Sequence, residues 1–65
     1  MEIRYAEFPT ARQAVEARGE GEAVYMDGRF LVVGREEANR LAEAGDEFAY
    51  LCKDRQGHIY TVPVN

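Results

Sequence analysis

Three side chains near the end of the chain are spaced so that they could carry out thiol chemistry. In a hairpin, Cys52, Asp54 and His58 would share one face, with Asp54 opposite His58. A thiolate nucleophile needs a base, which His58 could supply, and hydrogen-bond donors for an oxyanion. In the sequence, no helix N-terminus or glycine-rich loop adjoins this segment to supply such donors. We therefore favour the ordinary interpretation, a buried Cys52 that packs as a small hydrophobic residue and an exposed turn histidine bonded to Asp54.

The segment that positions these residues, from Phe48 to Val64, predicts a β-hairpin. Two runs rich in β-branched and aromatic residues, FAYLCK (β4) and HIYTVPV (β5), flank the turn DRQG. A type I turn with Gly57 as a left-handed bulge places Cys52 opposite Tyr60. The face expected to enter the core then holds Phe48, Tyr50, Cys52, Tyr60, Val62 and Val64. The opposite face holds Ala49, Leu51, Lys53, Ile59, Thr61 and Pro63.

A second hairpin is predicted from Ala23 to Val33. The pair Asp27-Gly28 between apolar runs favours a two-residue turn, because both residues must adopt positive φ. The strands 23–26 (β2) and 29–33 (β3) would then pair Tyr25 with Phe30 and Val24 with Leu31. Both faces of this hairpin are apolar, so the sequence leaves open which one is buried.

A strand and two short helices complete the chain. Residues 2–8 alternate as a half-buried strand (β1), and Thr10 with Gln13 forms a capping box at the start of a helix over residues 11–18 (α1). A second helix (α2) lies between Gly34 and Gly45. Its expected buried stripe consists of Ala38, Leu41 and Ala42.

The order β1-α1-β2-β3-α2-β4-β5 predicts a single small α+β domain over residues 1–65. Strand–helix–strand occurs twice, which resembles the ferredoxin-like arrangement, or a duplicated βαβ unit. The resemblance implies two layers, with one antiparallel sheet of about five strands and both helices on one face. Right-handed crossovers would place β3 between β1 and β2, β4 beyond β1, and β5 at the outer edge, where Pro63 is tolerated. A meander-like sheet built from two αββ units is the alternative.

Composition limits the classes of function. The charged fraction is 31% and the hydrophobic fraction 46%, as in a folded chain, and the net charge of −4 argues against nucleic acid as a partner. No apolar run approaches the roughly 18 residues of a membrane span, and the N-terminus lacks the features of a signal peptide. With one cysteine and one histidine, we expect no disulfide, no metal and no cofactor. We expect a cytoplasmic location.

Two helices on one face would leave the other face of the sheet open. We expect that face to be an interface formed by Ala49, Leu51, Ile59 and Thr61, with pairing through the edge of β2 as the other route. The sequence thus favours a small protein-interaction or regulatory module that forms a homodimer. The alternatives are an acidic inhibitor-like protein that occupies a basic or nucleic-acid-binding site on a target, and a small enzyme that uses Cys52 and His58.

Overall fold

A computed structural model of the chain describes residues 4–65 and shows one five-stranded antiparallel sheet with two helices. The elements are β1 (Tyr5–Phe8), α1 (Ala11–Ala17), β2 (Glu22–Met26), β3 (Arg29–Val33), α2 (Arg35–Glu43), β4 (Phe48–Lys53) and β5 (Ile59–Val64). The α+β class, the order of the elements and the antiparallel five-stranded sheet are confirmed. Residues 2 and 3 of the predicted first strand lie outside the described residues.

Both hairpins have the registers that their turns predict. In the first, Tyr25 pairs with Phe30, and Asp27 and Gly28 adopt φ of 53° and 77°. In the second, Cys52 pairs with Tyr60, and Gly57 has a φ of 87°. The local turn chemistry therefore determines the pairing within each hairpin.

The order of strands across the sheet differs from the ferredoxin-like expectation. It is β1-β3-β2-β4-β5, so β3 lies between β1 and β2 as predicted, but β4 pairs with β2 and not with β1. The contact is short, with Val24 paired to Tyr50 and Tyr25 paired to Ala49. Because β2 is the central strand, the expected dimer route through a β2 edge is wrong.

The changed position of β4 puts the two helices on opposite faces of the sheet, not on one face. Each helix connects two parallel strands that have one strand between them, and both connections step across the sheet in the same direction. Since β1 and β3 run in opposite directions, two crossovers of the same hand must lie on opposite faces. The domain thus has three layers, helix–sheet–helix, and not the two layers expected.

Two apolar clusters, one on each face, form the core. Adjacent residues of β2 divide between them, because successive side chains of a strand point to opposite faces. Ala23 packs in the α1 cluster with Ala14, Val15 and Leu51. Val24 is fully buried in the α2 cluster with Leu31, Val33, Ala38, Leu41 and Phe48. Both faces of the first hairpin therefore contribute to the core, which answers what the sequence left open, although Tyr25 is 40% exposed.

The start of α1 follows the predicted cap only in part. The backbone N–H of Gln13 donates to the Thr10 hydroxyl oxygen at 3.2 Å, as a capping box requires. The Gln13 side chain does not reach back to the Thr10 N–H. Its oxygen accepts instead from the Thr10 hydroxyl at 3.1 Å. One exposed N–H at this helix start is thus satisfied by a side chain.

Candidate functional site

Asp54 organises the tip of the last hairpin. Its Oδ1 accepts hydrogen bonds from the backbone N–H groups of Gln56 and His58, each at 2.9 Å. Its Oδ2 lies 3.5 Å from His58 Nδ1, and the His58 side chain is 74% exposed. Arg12 on α1 donates to the Gly57 carbonyl at 3.0 Å and ties the tip to that helix. The predicted pairing of an exposed His58 with Asp54 is confirmed, and the contacts of Asp54 are those of a turn-forming residue.

Cys52 lies two residues back from this tip, opposite Tyr60, and its side chain is half-buried. The expectation of a buried cysteine is therefore wrong. The hairpin brings Cys52 onto the face that carries Asp54 and His58, as its register predicts. Asp54 also accepts from two backbone N–H groups of the turn, so its contact with His58 Nδ1 belongs to a capped turn.

The four residues expected at an open interface do not form a continuous exposed surface. Leu51 is only 5% exposed, because α1 covers this face and packs Val15 against it. Ile59 and Ala49 are half-buried, and Ile59 packs on the same cluster. Of the four, Thr61 alone is exposed. The face expected to be open is thus covered over most of its width.

The opposite face of the last hairpin is the more open one. Tyr60 is 50% exposed and Val62 is 43% exposed, and both lie on β5 beside the half-buried Tyr50 and Cys52 of β4. We call these four residues the β5 patch. The sequence predicted that these residues lie in the core. The alternation of apolar residues shows which side chains share a face, but it does not show how much of that face a helix covers. Here the α2 cluster includes Phe48 and contacts Val64, but it leaves Tyr60 and Val62 of the outer strand exposed.

A cleft of about 590 Å³ opens where β2 and β4 separate. It is bounded by the end of α1, the start of β2 and the end of β4. Glu16 and Glu22 line it together with Arg18 and Lys53. Since charges of both signs surround the cleft, they do not favour one class of charged ligand.

The acidic residues of α2 alternate with arginines. Arg40 lies 3.9 Å from Glu36, and Arg35 lies 3.8 Å from Glu22 on β2. Within residues 4–65, no three His, Cys, Asp or Glu side chains are grouped so that they could hold a metal ion. In the same part of the chain, neither helix is long and apolar enough to cross a membrane.

Comparisons with known proteins add no assignment to this geometry. No family model, curated protein or solved structure matches the chain significantly.

Proposed function

We propose that this chain is a small cytoplasmic protein-interaction or regulatory module that forms a homodimer through the β5 patch. The observation that carries the proposal is the exposure of Tyr60 and Val62, 50% and 43%, on one face of an outer strand. Contiguous exposed apolar surface rimmed by polar residues is typical of protein interaction sites. Tyrosine is also enriched at such sites, because it combines a large apolar ring with a polar hydroxyl.

A homodimer suits a chain of this size and charge. A domain of 65 residues buries only about 60% of its unfolded surface, so a second subunit supplies burial that its own core cannot. Two copies of net charge −4 repel one another least where their surfaces meet without charge. The strand Ile59–Val64 contains no Asp, Glu, Lys or Arg. The free thiol of Cys52 suits a reducing compartment such as the cytoplasm.

The other two classes of function receive less support. An inhibitor that mimics nucleic acid would need an acidic face, whereas Arg35 and Arg40 are interspersed with the carboxylates around α2. A thiol enzyme would need a base in contact with Cys52, whereas the contacts of His58 are with Asp54, which caps the turn.

The proposal is tested with two matched tyrosine variants. Tyr60 and Tyr5 are 50% and 51% exposed, and by the register they lie on the same face at opposite edges of the sheet. We expect light scattering at tens to hundreds of micromolar to give twice the monomer mass for the wild type and Tyr5→Arg. Tyr60→Arg should give the monomer mass, because it would bury an unpaired charge in the interface.

Thermal unfolding supplies an independent readout. The unfolding temperature of the wild type and of Tyr5→Arg should rise with protein concentration, since a dimer is stabilised by mass action. That of Tyr60→Arg should be independent of concentration. Equal dimer masses for both variants would rule out the β5 patch as the interface, and a monomeric wild type would rule out the homodimer.

A further inference from the structure

The outer edge of β5 is unpaired, and the structure shows which of its backbone groups face outwards. The N–H of Asp54 donates to the His58 carbonyl at 3.0 Å, so these residues form a hydrogen-bonded pair. Hydrogen-bonded and non-hydrogen-bonded pairs alternate along an antiparallel ladder. Tyr60, Val62 and Val64 therefore bond to β4, while Ile59, Thr61 and Pro63 direct their backbone groups away from the sheet.

Pro63 fits this assignment and restricts what the edge can bind. It pairs with Ala49 in a non-hydrogen-bonded position, where its missing N–H leaves no gap in the β4–β5 ladder. On the outer side, the N–H groups of Ile59 and Thr61 remain as donors. The carbonyls of Ile59, Thr61 and Pro63 remain as acceptors. A strand that pairs along the whole edge therefore lacks one hydrogen bond, at Pro63.

The edge also lacks the charges that usually keep strand edges apart. Residues 56–65 form the longest run of the chain without Asp, Glu, Lys or Arg, in a sequence in which 31% of residues are charged. The opposite edge of the sheet is different, because β1 (Tyr5–Phe8) is shorter and carries Glu7. An incoming strand thus meets fewer obstacles at β5 than at β1.

We propose that the partner at this edge is a second copy of the chain, which pairs antiparallel along β5 about a two-fold axis at Thr61. This inference rests on the proposed function and specifies how the two copies meet. Thr61 N–H donates to the carbonyl of Thr61 of the partner subunit, and Ile59 N–H donates to the carbonyl of Pro63 of the partner subunit. Both bonds occur twice by symmetry. The two sheets then join into one continuous sheet.

The register about Thr61 is favoured by the side chains that it brings together. Tyr60 lies opposite Val62 of the partner subunit in a non-hydrogen-bonded pair, where cross-strand side chains are closest. Aromatic and β-branched residues form favourable pairs across strands. The two exposed residues of β5 thus cover one another, and the missing N–H of Pro63 is the one defect. An axis at Tyr60 would instead place Val62 opposite His58 of the partner subunit and leave its apolar surface without an apolar partner.

The test replaces the outward N–H group at the axis. In Thr61→Pro the bonds within the hairpin stay intact, because the Thr61 N–H points away from β4, whereas the central bonds between subunits are lost. The control Thr61→Val removes the hydroxyl and keeps the N–H. We expect the dissociation constant from sedimentation equilibrium to rise about tenfold or more for Thr61→Pro and to stay near wild type for Thr61→Val.

Amide hydrogen exchange in the wild type provides a second measurement that needs no variant. Protection of the Ile59 and Thr61 amides should rise with protein concentration, while the amides of Tyr5 and Glu7 at the other edge should not respond. A dimer that persists in Thr61→Pro, with unchanged exchange at Thr61, would overturn edge pairing and leave face-to-face contact through the β5 patch. A chain that is monomeric at millimolar concentration would overturn both proposals.

Discussion

Among single residues, Leu51 on β4 and Val62 on β5 show burial that is the reverse of what the sequence predicts. The sequence assigned Val62 to the core and Leu51 to an open face. In the structure Leu51 is 5% exposed and Val62 is 43% exposed, although the predicted register is correct. The difference arises because α1 packs Val15 onto the face of Leu51, whereas α2 stops short of Val62.

Leu51→Ala should therefore destabilise the monomer by about 3 kcal/mol, because it removes buried methyl groups and leaves a cavity under α1. Val62→Ala should cost less than about 1 kcal/mol, since nearly half of that side chain already contacts water. Urea midpoints measured at low micromolar concentration compare the two. Equal losses would mean that α1 does not cover Leu51.

Asp54 should matter more for the hairpin than His58 does. Asp54→Ala removes an acceptor for two backbone N–H groups and should cost about 1 kcal/mol, whereas Asp54→Asn keeps the Oδ1 atom and should cost less. His58→Ala should change stability by less than about 0.5 kcal/mol, because exposed ion pairs contribute little. Thermal melts of the three variants provide the comparison. A loss with His58→Ala as large as with Asp54→Ala would indicate that His58 itself holds the turn together.

At the scale of elements, the hairpins are determined by their turns. Asp27 and Gly28 adopt positive φ, which the right-handed twist of the flanking strands requires of a two-residue turn. This geometry is local, so the pairing of β2 with β3 follows from a few consecutive residues. The pairing of β2 with β4 has no such local signal and covers two residue pairs.

The turn between β2 and β3 offers a test of this conformational requirement. A Cβ atom at Gly28 would meet no heavy atom within 4 Å, so a substitution there acts through backbone conformation and not through a clash. Gly28→Ala should destabilise by about 1–2 kcal/mol, because the left-handed region is unfavourable for alanine. Gly28→Asn should cost less, since asparagine tolerates that region. Denaturant unfolding measures both, and equal effects would place the strain elsewhere.

At the scale of the whole molecule, one sheet separates two cores that have no residue in common. Val15 belongs to the cluster under α1, and Leu41 belongs to the cluster under α2. The two clusters are connected through the backbone of β2, because Ala23 of one cluster and Val24 of the other are consecutive residues. A single unfolding transition with independent energetic contributions from each face is expected.

Val15→Ala and Leu41→Val test this independence with conservative truncations. Each should lower the free energy of unfolding by about 1–2 kcal/mol, and the double variant should lower it by the sum to within about 0.5 kcal/mol. Circular dichroism and tyrosine fluorescence should report coincident transitions. A large departure from additivity would show that the two cores are coupled through the sheet.

The elements, both turns and the register within each hairpin follow from local features of the sequence. Positive-φ turn residues, caps and alternating apolar residues are local signals, and they act between neighbours in the chain. The pairing of Asp54 with an exposed His58 belongs to the same class, because both residues flank one turn. These parts of the fold and of the candidate site were predicted for that reason.

The position of β4 beside β2 depends on long-range packing, and the placement of the two helices follows from it. Both β1 and β2 carry apolar residues, so the pattern of apolar residues does not tell which of the two strands pairs with β4. With β4 on the far side of β2, crossovers of one hand must put α1 and α2 on opposite faces. That arrangement buries Leu51 and leaves Tyr60 and Val62 exposed, whereas the position of β5 at an outer edge was already predicted. Such long-range choices depend on how whole surfaces pack together, which no short stretch of sequence specifies.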